Sequence, residues 1–447
     1  HQHRPTTRRS GPGDFKENHK VITNHQLPNH QLPNYQLLNY QSSSNHPMPY
    51  DLFSRTFKAN PFPTFELLRE ERPIYAHTAP NGLTIWYISR YEDVVAVLKD
   101  PQRFVKDQSH VFPDKRGTQS QHDDILRLIN QNMLFSDPPD HTRLRALVSQ
   151  AFTPRRVEQM AGRITAVAND LIDKMAGQET IELIDAFAFP LPVMVIMELL
   201  GVPTADAEQV RDWSKAIIAP GSHGVGYRKR KKMLRAFADY LKIMFATRRQ
   251  ATQDDLISAL VQAEEAGDHL TEEELSSMVV LLLVTGHETV VNMIGNSVLA
   301  LLQNPNQLSW LMANPDRFDQ AIEELLRYDG PVETSTTRWA AEDVIIGGHT
   351  IRQGDVIRVV TASANRDPAV FDNPDTLDLT RQNNPHLAFG RGIHYCLGAP
   401  LARLEGRIAL ETLFGRFPNL HLAQPVEQIT WRSGVLLRGP KALYLSP

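Results

Sequence analysis

A chain of 447 residues, 41% hydrophobic and 22% charged, has the make-up of a soluble globular protein, and a formal net charge of -4 gives no general pull toward nucleic acid or an anionic membrane. One cysteine excludes an internal disulfide framework and any multi-cysteine zinc or iron–sulfur site. With no window near the roughly 18 uninterrupted apolar residues of a membrane span, and no apolar secretory signal, the expectation is a cytoplasmic protein.

From Asn24 the sequence reads NHQLP NHQLP NYQLL, a polar quasi-repeat that cannot bury enough apolar surface to offset its ordering entropy. Residues 1–45 are therefore expected to be a disordered tail, its histidines a weaker metal-binding alternative, and 46–447 a single domain. Helical spacing begins at Phe62 to Glu71, LTIWYIS (Leu83 to Ser89) is β-rich, and helix resumes at Tyr91. The polar stretch Phe104 to Met133 predicts a long loop of the kind used as an access lid. Further helices are expected from Pro139, Arg155, Pro203 and Lys229. The longest starts at TEEEL, where Thr271 and Glu274 have capping-box spacing, and ends before Asn304-Pro305. It is apolar on nearly every side from Met278 to Leu302, so it should cross the interior. Short β-rich runs follow (Val344–Ile346, Val356–Thr361), then a helix near Leu401 to Phe414. The total is mainly α with a minor β region.

A lone cysteine is usually a small buried hydrophobe. Cys396, however, stands in Phe389-Gly390-Arg391-Gly392-Ile393-His394-Tyr395-Cys396-Leu397-Gly398, just before a helix. Gly390, Gly392 and Gly398 let the backbone pass close to a flat object and aim N–H groups at the sulfur. A helix N-terminus lowers a thiol pKa. In the long helix, Thr285-Gly286-His287-Glu288-Thr289 puts an acid and a hydroxyl among apolar residues, a costly choice unless something uses them. Gly286 suggests a local opening of the helix for a small ligand. The plain alternative is a Thr bonded back to a carbonyl and a Glu288 paired with a base.

The decapeptide resembles the haem-binding loop of the cytochrome P-450 family at every family-defining position. That resemblance implies a single-domain cytochrome P-450 fold and haem b, with Cys396 as axial iron ligand, Phe389 beside the thiolate and His394 near a propionate. The long helix is similar to the family's oxygen-activating helix, which implies that Thr289 acts on dioxygen and Glu288 on proton delivery. Thr285 departs from the usual Ala or Gly, which bears on substrate shape. Glu324 and Arg327 resemble the family's structural Glu–Arg pair, completed by an arginine such as Arg381; Glu66/Arg69 and Glu208/Arg211 share the spacing by accident. His141, Arg145 and Arg338 sit where the family holds propionates, and Asn365-Arg366-Asp367-Pro368 matches a structural segment.

The implied activity is insertion of one oxygen atom of O2 into a hydrophobic small molecule, such as a macrolide, fatty acid or other secondary metabolite. No glycine-rich phosphate loop in a βαβ context supplies a reductase, so a ferredoxin and ferredoxin reductase are the expected donors, to a monomer. Arg391, Arg403 and Arg407 could receive an acidic donor, or be a solvated basic face. Val284, Thr285, Val332 and Leu436 are candidate pocket residues. The run Arg228-Lys229-Arg230-Lys231-Lys232 reads as a solvated face, or as a dock for an acidic partner, an anionic substrate or a carrier-bound acyl chain. A peroxygenase tends to lack the acid–Thr pair, and a haem sensor or carrier without turnover would not need Thr289.

Overall fold

The computed structural model describes residues 50–78, 83–113, 130–218, 227–265 and 270–447. The expected tail over 1–45 and residues 114–129 of the expected lid lie outside the described residues.

The central helix begins at its cap. Thr271 Oγ1 accepts the Glu274 N–H at 3.2 Å, and Glu274 Oε2 accepts the Thr271 N–H at 2.9 Å. The helix runs Glu272–Gln303 and stops at Asn304, before a new helix starts on Pro305. By length and composition it could cross a membrane, yet 83% of its most apolar window is buried inside the protein. It packs on the helices Pro190–Leu200, Phe318–Asp329 and Ala399–Arg416, and these contacts form the centre of the large core cluster. Helix Pro190–Leu200 has no amphipathic signal in the sequence because eight of its eleven residues are buried, which erases the period that marks a surface helix.

Other helices follow the sequence with local breaks. Phe62–Glu71, Tyr91–Lys99 and Asp140–Ala151 form as expected. The helix expected from Arg155 divides into Pro154–Gln159 and Ala161–Met175 at Met160. After Pro203 a 3-10 turn, Thr204–Asp206, precedes Ala207–Ile218. The next helix is Tyr227–Gln250.

The larger sheet orders its strands Ile74–Thr78, Thr84–Ile88, Val356–Val359, Arg338–Ala340 and Phe104–Val105. Only the Thr84–Ile88/Val356–Val359 pair is parallel. The expected strand over Val356–Thr361 ends at Val359, and Thr361–Ala364 turns into a short helix. The register Val105↔Trp339 brings Lys106 beside Arg338, and so delivers two cations to one spot.

Candidate active site

A cavity of about 630 Å3 lies between the central helix, the Cys396 loop and the sheet edge. Its wall includes every residue expected to ligate the iron, hold the propionates, act on dioxygen or bound the substrate, while the Glu324–Arg327 pair lies outside it. Cys396, Phe389, Gly390, His394 and Gly398 come from the loop; Val284, Thr285, Gly286, Glu288 and Thr289 from the helix; His141 and Arg145 from Asp140–Ala151; Arg338, Val332 and Leu436 from the β region.

The loop's shape follows from its glycines. Gly390 and Gly392 have φ of 72° and 73°, and a Cβ on Gly392 would stand 2.3 Å from the Leu98 carbonyl oxygen. The Cys396 N–H donates to the Phe389 carbonyl at 3.0 Å, closing the loop under the sulfur. Cys396 is exposed, and it lines the cavity. Burial pushes its thiol pKa up, against the Gly398 and Ala399 N–H groups and the charges of Arg145 and Arg403. The expected lowering by the helix N-terminus is thus outweighed here. A cation at the sulfur would reverse that balance, because a coordinated thiol is deprotonated.

On the central helix, Thr285 Oγ1 donates to the Leu281 carbonyl at 2.7 Å and Thr289 Oγ1 to the Thr285 carbonyl at 3.0 Å. Both back-bonds leave the hydroxyl lone pairs free. Glu288 is buried and held by Arg432 from the C-terminal segment, with His287 Nε2 3.8 Å from its other oxygen. Both features of the plain alternative are therefore present, and both side chains still line the cavity. The helix is continuous through Gly286, contrary to the expected opening. The missing side chain admits Ile196, whose Cδ1 would be 3.0 Å from a Cβ there.

A cluster of cations forms one end of the cavity. The His141 and His394 rings meet at 4.4 Å, and buried His141 Nε2 has no hydrogen-bond partner among the described residues. Burial pulls Arg338 down to about 10 despite Asp137. Burial, then Lys106, Arg338, His141 and Arg145, drive His394 far below the usual histidine range. Lys106 is fully buried, donates to the Thr336 and Thr337 carbonyls at 3.2 Å, and is also depressed by burial and by Arg338. Asp137 is the nearby carboxylate, and it is occupied by the Lys106 and Asp107 N–H groups. Buried charges of one sign are costly unless paired, so the donor set fits a cofactor with two carboxylates. Sequence reasoning missed Lys106 and Arg432; each depends on a partner more than a hundred positions away, and neither stands in a motif.

Glu324 and Arg327 lie outside the cavity and are fully buried. Arg327 Nε and Nη2 donate to the two Glu324 oxygens at 2.7 and 2.8 Å, and Arg381 Nε adds a third contact at 3.0 Å. The two accidental matches do not pair internally: Arg69 binds Ser363 and Arg211 binds Asp185. Asn365 Oδ1 accepts the Leu387 N–H at 2.7 Å, anchoring the start of the Cys loop. Arg403 grips Glu323 with two hydrogen bonds, at 2.6 and 2.8 Å, and stacks 4.4 Å over Phe389. Arg407 pairs with Asp319 and Glu411. Two of the three arginines considered for donor docking are therefore already neutralised.

Residues 215–446 match the family model described as Cytochrome P-450. The chain is 43% identical over 396 residues to the polyketide biosynthesis cytochrome P-450 PksS of Bacillus subtilis, covering 88% of this chain and 97% of that protein. The chain belongs to the cytochrome P-450 family. A myxobacterial P-450 solved with myristic acid superposes with a TM-score of 0.83 at 40% identity, over 88% of this chain and 98% of that one. The P-450 BioI, solved with an acyl carrier protein bearing hexadec-9Z-enoic acid, gives 0.80 at 40%, over 88% of this chain and all of that one. Family members are haem b monooxygenases with a cysteine thiolate ligand, and they need O2 and redox partners; this P-450 is such a monooxygenase.

Proposed function

We propose that Cys396 ligates the haem iron, that His141, Arg145, Arg338 and His394 hold the propionates, and that Glu288, Thr289 and Gly286 shape the oxygen-activating side. The observation that carries this reading is one cavity bounded by a thiol that lines it, a cation cluster with too little negative charge, and a helix bearing an acid and a hydroxyl. Bound there, haem supplies dioxygen binding and transfer of one oxygen atom to substrate once two electrons arrive.

The chain's own residues supply geometry and protons. Phe389 and Gly398 shield the sulfur from water. The Thr289 hydroxyl, with its hydrogen committed to the Thr285 carbonyl, accepts a hydrogen bond from the cavity side and relays a proton by rotating. Glu288 feeds that relay when it swings from Arg432, whose side chain is 29% accessible and so links it to water. Val284, Thr285, Val332 and Leu436 bound the substrate, an apolar molecule of the fatty acid or polyketide kind. Electrons come from a ferredoxin and its reductase in the cytoplasm.

A second reading concerns delivery. The BioI relative was solved with an acyl carrier protein, and the basic run at Arg228–Lys232 favours the same class of partner for this chain.

The first test is spectroscopic. Reduced, carbon-monoxide-bound protein should show the red-shifted Soret band of a thiolate-ligated haem, and Cys396→Ala should lose it. An unshifted band in the native chain would overturn the assignment.

A further inference from the structure

The Tyr227–Gln250 helix opens with a charge pattern that works against its own stability. Six of its first nine residues are Lys or Arg, none of the first turn is acidic, and the first acid is Asp239. Cations at a helix N-terminus oppose the macrodipole, at about 0.3–1 kcal/mol each near the surface. Arg228/Lys231, Arg228/Lys232, Lys231/Arg235 and Lys232/Arg235 also set like charges three or four residues apart, which is unfavourable by about 0.2–0.5 kcal/mol a pair. Arg228, Lys229, Lys232 and Arg235 are exposed, in a protein whose net charge is -4.

The position of that strip relative to the cavity follows from helix pairing. The Trp213 indole stacks on Phe237 at 4.6 Å, and the Tyr240 hydroxyl donates to Asp206 at 2.8 Å. Helices Ala207–Ile218 and Tyr227–Gln250 are thus antiparallel, with residue 213 facing 237 and 206 facing 240. Ile217, which lines the cavity, then lies level with the turn around Met233. The basic strip extends just past it, on the substrate side and on a different element from the Cys396 loop.

We infer that this strip is the docking face for an acidic acyl carrier protein that presents the substrate as a thioester. The inference rests on the carrier reading above and gives it a location. An electron donor would dock toward the cysteine side, where Arg403 and Arg407 are already paired with acids. A free fatty acid would need one cation, not a strip of them. A carrier protein, by contrast, meets the strip with an acidic surface while its tethered chain enters beside Ile217.

The test uses the full-length haem-loaded protein, a labelled acyl carrier protein bearing a hexadecenoyl chain, and free hexadecenoic acid. Fluorescence anisotropy reads docking without relying on haem chemistry, and the substrate-induced Soret shift reads entry. The double variant Lys232→Glu/Arg235→Glu should weaken carrier binding about tenfold or more and flatten its salt dependence. It should leave the free-acid titration within about twofold and, by relieving helix repulsion, leave the melting temperature unchanged or raised. Unchanged carrier affinity, or an equal loss for carrier and free acid, would overturn the proposal. The reduced carbon monoxide spectrum of the same samples separates this from a failure of the haem-thiolate assignment, because docking is read without it.

Discussion

Replacing Glu324 by Leu should be among the most damaging single changes in the chain. The two Glu324 oxygens accept five hydrogen bonds, from Arg327 Nε and Nη2, Arg381 Nε, the Asn384 side chain and the Asp378 N–H. Arg327 is 1% exposed, so without Glu324 its charge stays buried with the neutral carbonyls of Asn365, Pro374 and Thr376 and the Phe371 ring around it. Breaking one side of a buried pair in this way costs about 3–5 kcal/mol. That is a large share of the roughly 5–15 kcal/mol that holds a typical domain folded. For a chain this large, about 1.2 °C per kcal/mol converts the loss to roughly 4–6 °C in Tm. The assay is a thermal melt of the haem-loaded protein, followed by far-ultraviolet circular dichroism and Soret absorbance, with a urea midpoint as cross-check. Adding Arg327→Met should recover at least about 1 kcal/mol, since it removes the stranded charge. A single variant within about 1 kcal/mol of the native chain, or a double variant worse than the single, would refute the reasoning.

Other outcomes follow from the same contacts. Thr289→Ala should lower product formed per electron pair about tenfold or more, with the excess appearing as hydrogen peroxide; unchanged coupling and turnover would favour a sensor or carrier role. Gly392→Ala must force a Cβ against the Leu98 carbonyl at positive φ, costing about 2 kcal/mol or more, and should appear as poor haem retention on gel filtration with far-ultraviolet dichroism preserved. Burial pushes Glu323 up, but hydrogen bonds from Arg403 and His386 outweigh it and bring its pKa from 4.5 down to about 2. A depressed carboxylate stabilises the fold above its unfolded pKa and loses that contribution as pH falls through its folded one. Glu323→Gln should therefore cost about 1–2 kcal/mol at neutral pH, allowing for solvent screening. It should also flatten the fall in urea midpoint between about pH 5 and pH 2; an acid limb as steep as the native one would count against the pair.

What could be read from the sequence was local or periodic. The capping box at Thr271, the length of the central helix and the glycines around Cys396 are all spelled out within a few residues, and each has the expected location. The Glu324–Arg327 pair needed order along the chain to separate it from Glu66/Arg69 and Glu208/Arg211, because an i, i+3 spacing carries little information. Long-range geometry was not legible. Arg432 reaches Glu288 across 144 positions, and Lys106 joins the cation cluster only through the strand register with Arg338. Gly286 was misjudged because its reason, the Ile196 side chain, lies on another helix.

The convergence of Lys106, His141, Arg145, Arg338 and His394 also bears on how the protein is made in a cell. The Lys106 and Arg338 charges repel one another and, with Arg145, oppose protonation of His394, so a dianion that binds only the folded chain stabilises it by mass action. Synthesis that outruns haem supply would leave a population that opens more often and is cleared by proteases. The abundance of this P-450 should therefore track iron and porphyrin availability even with transcription held constant, which makes the cation cluster a checkpoint on assembly.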